Sequence, residues 1–515
     1  NSPSKIDSIF LDTLGGKVTS VAFNQGILAI SLENGVNLGQ VAFFDTNASN
    51  SLLGQVQVGA LPDSISFTSD GKKLIVANEG ELGFDSTSKQ YIDPLGSISL
   101  INMFDSSNIF NPTVNNLDFQ AFNSQQTQLK NQGVRLYNDA LNAINGNFAD
   151  KGITDLFQNS VTVASNLEPE FVAIAEDGNT AFVTLQENNA VAVVDLSKSE
   201  IKDIIGLGTK DHSLAGNGLD ASDRDAGINI ANYPLQGLYQ PDQIATYTVG
   251  GVTYFLTANE GDFLRLRENV EVNGIEERIT FFDEAQRGDD FTLDSAIFPN
   301  ASQLQADENL GRIQLSTHET DTDGDGDTDQ LLAFGGRSFS IWREDGTLVF
   351  DSGDQLEQIV AAKFPAFFNS EAEENDTFDK RSDNRGPEPQ SITIGSLGDR
   401  ILAFIGLKEI GGVATFDITN PNNPLLLDYA NNRNFLVDVT LASDPNATNP
   451  AVGDLGLEGL LFISRPQSPT NTPLVVTANP VSGTVSIYAV ETVPEPGMII
   501  GLFSFGVMTA IKRKK

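Results

Sequence analysis

The chain has 515 residues, 40% of them hydrophobic, and carries 69 Asp and Glu against 31 Lys and Arg, a formal charge of -38. That field repels nucleic acid and anionic membranes and favours divalent cations, although the same acidity also serves to keep an exported protein soluble. Cys is absent, which excludes disulfides and thiolate chemistry. No apolar leader follows Asn1, so the sequence reads either as a chain whose signal peptide has been removed or as a fragment.

In chain order, the first candidate sheet runs from Val18 to Asp45. A repeat then sets in. Leu61-Pro62-Asp63 opens an apolar strand, Asp70-Gly71 turns it, and the next strand ends at Asn78-Glu79-Gly80. The pattern returns from Glu168-Pro169-Glu170 through Asp177-Gly178 to Glu187-Asn188. It returns again from Gln240-Pro241-Asp242 to Asn259-Glu260-Gly261-Asp262, and from Glu388-Pro389-Gln390 to Leu407-Lys408-Glu409. A degenerate copy spans Gly456 to Asn479, and Leu331–Asp351 is a further candidate without the Pro-acid signature. Several units close on a strand that ends in Asp, such as Asp195 and Asp417. Alternating apolar strands with Asp-Gly turns are the content of propeller blades. The expectation is an all-β fold, a β-propeller over residues 1–490. Seven blades are predicted, with six or eight as alternatives.

Three stretches break the period, at about 105–160, 197–236 and 264–330. In a propeller such insertions sit on the rims, where function concentrates. The first contains a predicted helix over Gln128–Ile144, with an apolar stripe of Val134, Tyr137, Leu141 and Ile144. Residues 491–515 form a separate tail. Pro494-Glu495-Pro496 precedes an apolar run from Met498 to Ile511, predicted to be helical, and then Lys512-Arg513-Lys514-Lys515.

Four features carry possible chemistry. Asp321, Asp323, Asp325, Asp327 and Asp329 alternate with Gly324 and Gly326, the opening of a calcium loop. Leu332 stands where an EF-hand has its bidentate Glu, and no helix is predicted after it. The second feature is positional. Asp63, Glu170, Asp242 and Glu388 recur at the starts of first strands, and Glu79, Glu187, Glu260 and Glu409 at the ends of second strands, joined by Asp262. First strands line a propeller's channel, so these acids would gather there and either bind cations or cap turns. The third is Lys210-Asp211-His212 with Asp220, Asp223 and Asp225, where His212 is either catalytic, a metal ligand or an ordinary salt-bridged side chain. The fourth is basic. Arg337, Arg381 and Arg385 either pair with acids or clamp an anion such as phosphate. Walker loops, Gly-x-Ser-x-Gly elbows and zinc spacings are missing.

Glu168–Asp195, Lys210–Asp242, Asp321–Trp342, Arg381–Glu388 and Gly411–Pro421 together resemble the choice-of-anchor I family of secreted propellers, over about Gly16 to Tyr488. The resemblance extends to mesenchyme-specific cell-surface glycoproteins and to regions of atypical bacterial alkaline phosphatases. It implies an extracellular, calcium-binding propeller. Lys408-Glu409 stands where members commonly have Glu-Arg, Phe263-Leu264 precedes Arg265, and Gln390 replaces a usual Glu. The tail resembles a bacterial PEP-CTERM sorting signal. That resemblance implies export, transient inner-membrane attachment and cleavage by an exosortase-type protease, with an ordinary C-terminal anchor as the other reading.

The leading functional expectation is a calcium-binding module at the cell surface or in the extracellular matrix. The alternative is a calcium-dependent, alkaline-phosphatase-like phosphoesterase. In it, channel carboxylates hold Ca²⁺ to polarise the phosphoryl group and activate water, and Arg337, Arg381 or Arg385 binds phosphate oxygens. Polysaccharide binding through Trp342 and Tyr239 is a third reading. Nucleic acid is not an expected partner.

Overall fold

A computed structural model describes residues 8–11, 14–493 and 499–509, the last stretch as backbone. The chain is all-β apart from short helices, and it divides into two compact units. One comprises residues 8–208 with Phe263–Glu284. The other comprises Thr209–Asp262 and the residues from Ala285 onward. Among the described residues, six sheets are four-stranded antiparallel meanders, three in each unit, each with the strand content of a propeller blade.

In the first unit these sheets are Lys17–Asn24, Ile27–Asn34, Asn37–Asp45 and Ser51–Ala60; then Pro62–Phe67, Lys73–Asn78, Ser97–Phe104 and Phe110–Asp118; then Val172–Ile174, Thr180–Leu185, Ala190–Asp195 and Glu200–Gly206. First strands of successive sheets pack together, and Ser64 Oγ accepts the Val172 N–H at 3.0 Å. The middle strands are apolar on both faces because sheets cover them on both sides, which is why they lack alternation.

In the second unit the sheets are Ile244–Val249, Val252–Asn259, Ser338–Arg343 and Leu348–Asp351; then Pro389–Leu397, Arg400–Leu407, Val413–Asp417 and Leu425–Ala430; then Gly459–Ile463, Leu474–Asn479, Thr484–Val493 and Ile499–Thr509. Gln243 ties the three together: its Oε1 accepts the Ile392 N–H at 3.3 Å and its Nε2 donates to Glu458 O at 2.7 Å. A five-stranded, mixed sheet joins Thr209–Asp211, Gln236–Leu238, Leu332–Ala333, Gln314–Ser316 and Ala285–Arg287.

A recurring device links second strands to third strands. Asn78, Asn259 and Asn479 each end a second strand, are buried, and donate their side-chain amides across the sheet. Asn78 reaches Ser97 and Ser99, Asn259 reaches Ser338 and Ser340, and Asn479 reaches Thr484. Three of the third strands end in Asp residues whose carboxylates cap the following turn: Asp45 accepts the Asn47 N–H at 2.9 Å, Asp195 the Ser197 N–H at 3.0 Å and Asp417 the Thr419 N–H at 3.0 Å.

Several expectations are corrected. Leu331–Asp351 is not a separate blade. Its main strands, Ser338–Arg343 and Leu348–Asp351, complete the sheet begun by Ile244–Val249, because Val252–Asn259 pairs directly with Ser338–Arg343. Part of the 105–160 stretch is sheet, since Phe110–Asp118 pairs with Ser97–Phe104. The predicted helix over Gln128–Ile144 is two short helices, Gln126–Asn131 and Asn138–Ile144, interrupted where Gly133 takes φ +86°. Its stripe does pack inward: Tyr137 and Leu141 join a core with Tyr91, Phe157 and Phe281. The described part of the C-terminal apolar run is not helical. Ile499–Thr509 is a strand paired with Thr484–Val493; the β-branched Ile499, Ile500, Val507 and Thr509 favour extension, and the pairing satisfies an otherwise open edge. Residues 494–498 and 510–515, the Pro-Glu-Pro signal and the basic end, lie outside the described residues.

The hairpin Arg265–Val272 and Ile275–Asp283 leaves the chain between two strands of the second unit and belongs to the first. There Leu266, Val270, Val272, Ile279 and Phe281 fill the core around Tyr91 and Tyr137. Glu284 pairs with buried Arg135 at 2.8 Å and accepts the Tyr137 hydroxyl at 3.0 Å.

Candidate functional site

In the second unit the Pro-acid repeats build a buried ionic net. Glu388 is 0% exposed and has φ +56°, a left-handed turn placed just before the strand Pro389–Leu397. Its carboxylate meets Arg381 at 2.6 Å, Arg385 at 3.2 Å and Lys408 at 3.9 Å. Burial alone would raise its pKa, but Arg385, Arg381 and Lys408 outweigh that and hold it below the ordinary glutamate value. Arg381 also meets Glu409 at 3.3 Å, and Lys408 meets Glu260 at 3.2 Å and Glu458 at 3.9 Å. Arg385 donates to Gly261 O and lies 3.6 Å from Asp262. Burial and the neighbouring Glu388 push Glu409 up to about 7 despite Arg381. Gly261 and Gly335 pass so closely that a Cβ on Gly261 would stand 2.3 Å from Gly335 N. This contact fixes the Glu260–Asp262 turn against the segment leading to Arg337. Asp242 lies two residues before the strand Ile244–Val249.

The first unit gathers acids. Glu168 is buried, and burial followed by Glu187, Glu79, Asp93 and Glu81 drives its carboxyl well above the ordinary range. Burial and Glu81 push Asp63 up to about 6, and burial pushes Asp93 up to about 7 against a Ser165 hydrogen bond. Glu170 opens the third sheet, where its N–H donates to Thr184 O at 3.0 Å. Sequence reasoning named Asp63, Glu79, Glu170 and Glu187 but missed Glu168, Glu81 and Asp93. Glu168 precedes a Pro, as Glu388 does, and that parallel was the available signal.

The Asp321–Asp329 loop is exposed and self-capped. Asp321 accepts the Gly324 and Gly326 N–H groups at 2.7 and 3.0 Å, and Asp329 accepts the Thr322 N–H at 2.6 Å. Gly326 has φ +98°, which the turn requires. The carboxylates form two groups, Asp321 with Asp323 and Asp325, and Asp327 with Asp329 and Asp294, each with oxygens within 4.8 Å of one another. That spacing fits hard oxygen ligands about 2.4 Å from a shared Ca²⁺. Asp294 enters because its N–H donates to Thr328 O at 3.0 Å. Desolvation, Asp325 and Asp294 push Asp327 up to about 6.

Arg337 is 3% exposed, and its guanidinium is committed: to Glu357 at 2.7 Å, and to the carbonyls of Asp220, Ser382 and Asn384 at 2.6, 2.7 and 2.8 Å. His212 is buried with Nδ1 2.6 Å from Asn217 O. Burial, followed by Lys210, holds its pKa well below the usual histidine value, so the ring is neutral. Lys210 is itself buried and spans Gly336 O, Gly353 O and Asp351. Trp342 and Tyr239 are not a rim platform. Both are buried, edge to face at 5.1 Å, and Trp342 Nε1 donates to Thr257 at 3.0 Å. They pack a core because the strand Ser338–Arg343 is covered on both faces.

The choice-of-anchor I domain matches residues 1–421. Gigasin-3a of Magallana gigas is 31% identical over 200 residues, 38% of this chain and 69% of that one. The mesenchyme-specific cell surface glycoprotein of Strongylocentrotus purpuratus is 31% identical over 287 residues, 51% of this chain but 36% of the relative, so the chain spans about a third of that protein. Among solved structures, the Swd1 β-propeller domain of Myceliophteria thermophila superposes with a TM-score of 0.31 at 8% identity, covering 90% of each chain, too loosely to carry an argument. With its repeated blade sheets and a domain match over most of its length, the chain belongs to the choice-of-anchor I family.

Proposed function

We propose that this chain is an exported, calcium-binding module of the cell surface or extracellular matrix. The observation that carries the reading is the pair of convergent carboxylate groups in and beside the Asp321–Asp329 loop, all oxygen donors, with spacing that suits Ca²⁺. Asp321, Asp323, Asp325, Asp327, Asp329 and Asp294 would hold the ion. The name of the sea-urchin relative supports a surface location. The Pro494-Glu495-Pro496 signal with its apolar run and basic end supports export through an exosortase-type protease. The partners of Arg337, Arg381 and Arg385 weigh against the phosphoesterase alternative, since Glu357, Glu388 and Glu409 already neutralise them.

The test is a melting curve of the full chain, stripped with chelator and then titrated with Ca²⁺. Calcium should raise the melting temperature, and Asp323→Asn with Asp325→Asn should remove part of that gain. Identical melting with and without calcium would sink the reading. Calcium-dependent turnover of a generic phosphomonoester would favour the hydrolase instead.

A further inference from the structure

A second acidic group lies away from the loop and inside the second unit. Asp220, Asp225 and Asp379 each present a carboxylate oxygen, and these oxygens lie within 4.8 Å of one another. Asp220 is 0% exposed and Asp379 3%. Two segments bring them together. Leu219 bridges Ala231, which pins the loop carrying Asp220 and Asp225. The Asn229 N–H donates to Asp220 Oδ2 at 2.6 Å, and the Gly227 N–H to Asp225 Oδ1 at 3.2 Å. Asp379 arrives from a distant part of the chain, where its N–H donates to Phe368 O at 2.8 Å.

The charges around this group are divided unevenly. Asp379 lies close enough to Asp223, Asp225 and Glu357 to be repelled by each. Three neighbouring acids have arginine partners. Asp223 meets Arg312 at 3.2 Å, Asp383 meets Arg287 at 2.8 Å and Glu357 meets Arg337 at 2.7 Å. Among the described residues, Asp220, Asp225 and Asp379 form no ion pair. Burying a carboxylate without a counter-charge is unfavourable, because the ion gives up its hydration and gains no attraction in return. The three that converge are those that the arginines leave unneutralised.

Oxygen atoms without partners mark the same place. Asp225 Oδ2 is shielded from solvent and accepts no hydrogen bond. Ser382 Oγ donates to Asp379 Oδ1 at 2.6 Å and accepts from Asn369 Nδ2 at 2.9 Å. The hydroxyl hydrogen is thus used on Asp379, which fixes the carboxamide orientation. Asn369, 0% exposed, is left with Oδ1 unpartnered. Asn369 Oδ1 is thus a second unsatisfied buried oxygen, carried by the same segment as Asp379.

We propose that Asp220, Asp225 and Asp379 form a buried calcium site, distinct from the Asp321–Asp329 loop. The donors are all hard oxygens, and their approach to within 4.8 Å of one another lets one Ca²⁺ with ligands at about 2.4 Å bridge them. The ion supplies the positive charge that the arginines give to Asp223, Asp383 and Glu357. It also links the Asp220 loop to the Phe368–Ser382 segment. The site does not depend on the loop reading, and the two fail separately.

The experiment titrates chelator-stripped full-length protein with Ca²⁺ by calorimetry and counts bound ions. Wild type is compared with Asp225→Asn, with Asp379→Asn, and with the loop variant Asp323→Asn plus Asp325→Asn. Asp225→Asn should bind one ion fewer than wild type and melt at or above wild type in chelator, since a repulsive charge has gone. The loop variant should keep the ion that Asp225→Asn loses. Asp225 is only partly buried, so its variant reports even if Asp379→Asn fails to fold. An unchanged ion count and affinity in Asp225→Asn overturns the site. So does loss of the same single ion in both Asp225→Asn and the loop variant, which would place all calcium in the loop.

Discussion

Arg337 shows how a side chain suited to phosphate binding can instead be a framework element. Four of its hydrogen bonds go to Glu357 and to three carbonyls from two separate segments. Replacing it with Ala strands a buried Glu357 carboxylate and three acceptors, a loss of about 3–5 kcal/mol. Arg337→Ala should therefore unfold at markedly lower denaturant whether or not calcium is present, as read by circular dichroism. Pairing with acids was one of the two readings its sequence allowed, but its partners were not legible, because Glu357 and Ser382 lie 20 and 45 residues further along the chain and no local pattern announces them. Glu388 differs: the Pro after it and its recurrence at the head of a first strand made it legible as a convergent acid. Of the cations that hold it, Arg381 and Arg385 were read as either acid-paired or phosphate-binding, and pairing is what the structure has; their partner Glu388 and the third cation Lys408 are set by the fold.

At the scale of elements, periodicity and turn chemistry carried far. The strands opened by Pro62, Val172, Ile244, Pro389 and Gly459 all fall within or directly beside the repeats expected to contain them. What failed was grouping. Ser338–Arg343 reads locally like the start of something new, since a long excursion separates it from the strand it pairs with. Helix continuity failed at Gly133 for the reverse reason, as the apolar spacing persists across a break in the backbone. Neither did any pattern of single residues reveal the amide bridges between second and third strands. Asn259 donates to Ser338 and Ser340, whose hydroxyls both donate to Asp351 at 2.7 Å. Asn259→Ala removes the shared donor and leaves buried hydroxyl oxygens unsatisfied, at about 1–3 kcal/mol. Chemical denaturation of Asn259→Ala and of Asn78→Ala should give losses of similar size, because the two bridges repeat one design.

Over the whole molecule, acidity sets the response to pH. Asp63 and Asp93 have folded values of about 6 and about 7, above the unfolded aspartate value, and Glu168 is shifted the same way. Such groups hold protons longer when folded, so stability falls as pH rises from about 4 through those folded values. In chelator, the melting temperature should decline between pH 5 and pH 8 on that account, and Glu168→Gln should flatten the decline and melt higher than wild type at pH 8 (conditions chosen to bracket roughly one unit either side of those values). A steeper decline in Glu168→Gln would contradict the assignment. The hairpin Arg265–Val272 and Ile275–Asp283 bears on another property, the order in which the protein can be made. The first unit lacks five core side chains and the counter-ion of Arg135 until Glu284 has been synthesised. At about 5–20 residues per second, the stretch from Gly208 to Glu284 takes roughly 4–15 s to emerge. Throughout that interval the nascent first unit has an unfilled core around Tyr91 and Tyr137, so its window for capture by chaperones or export machinery is written into the chain's connectivity.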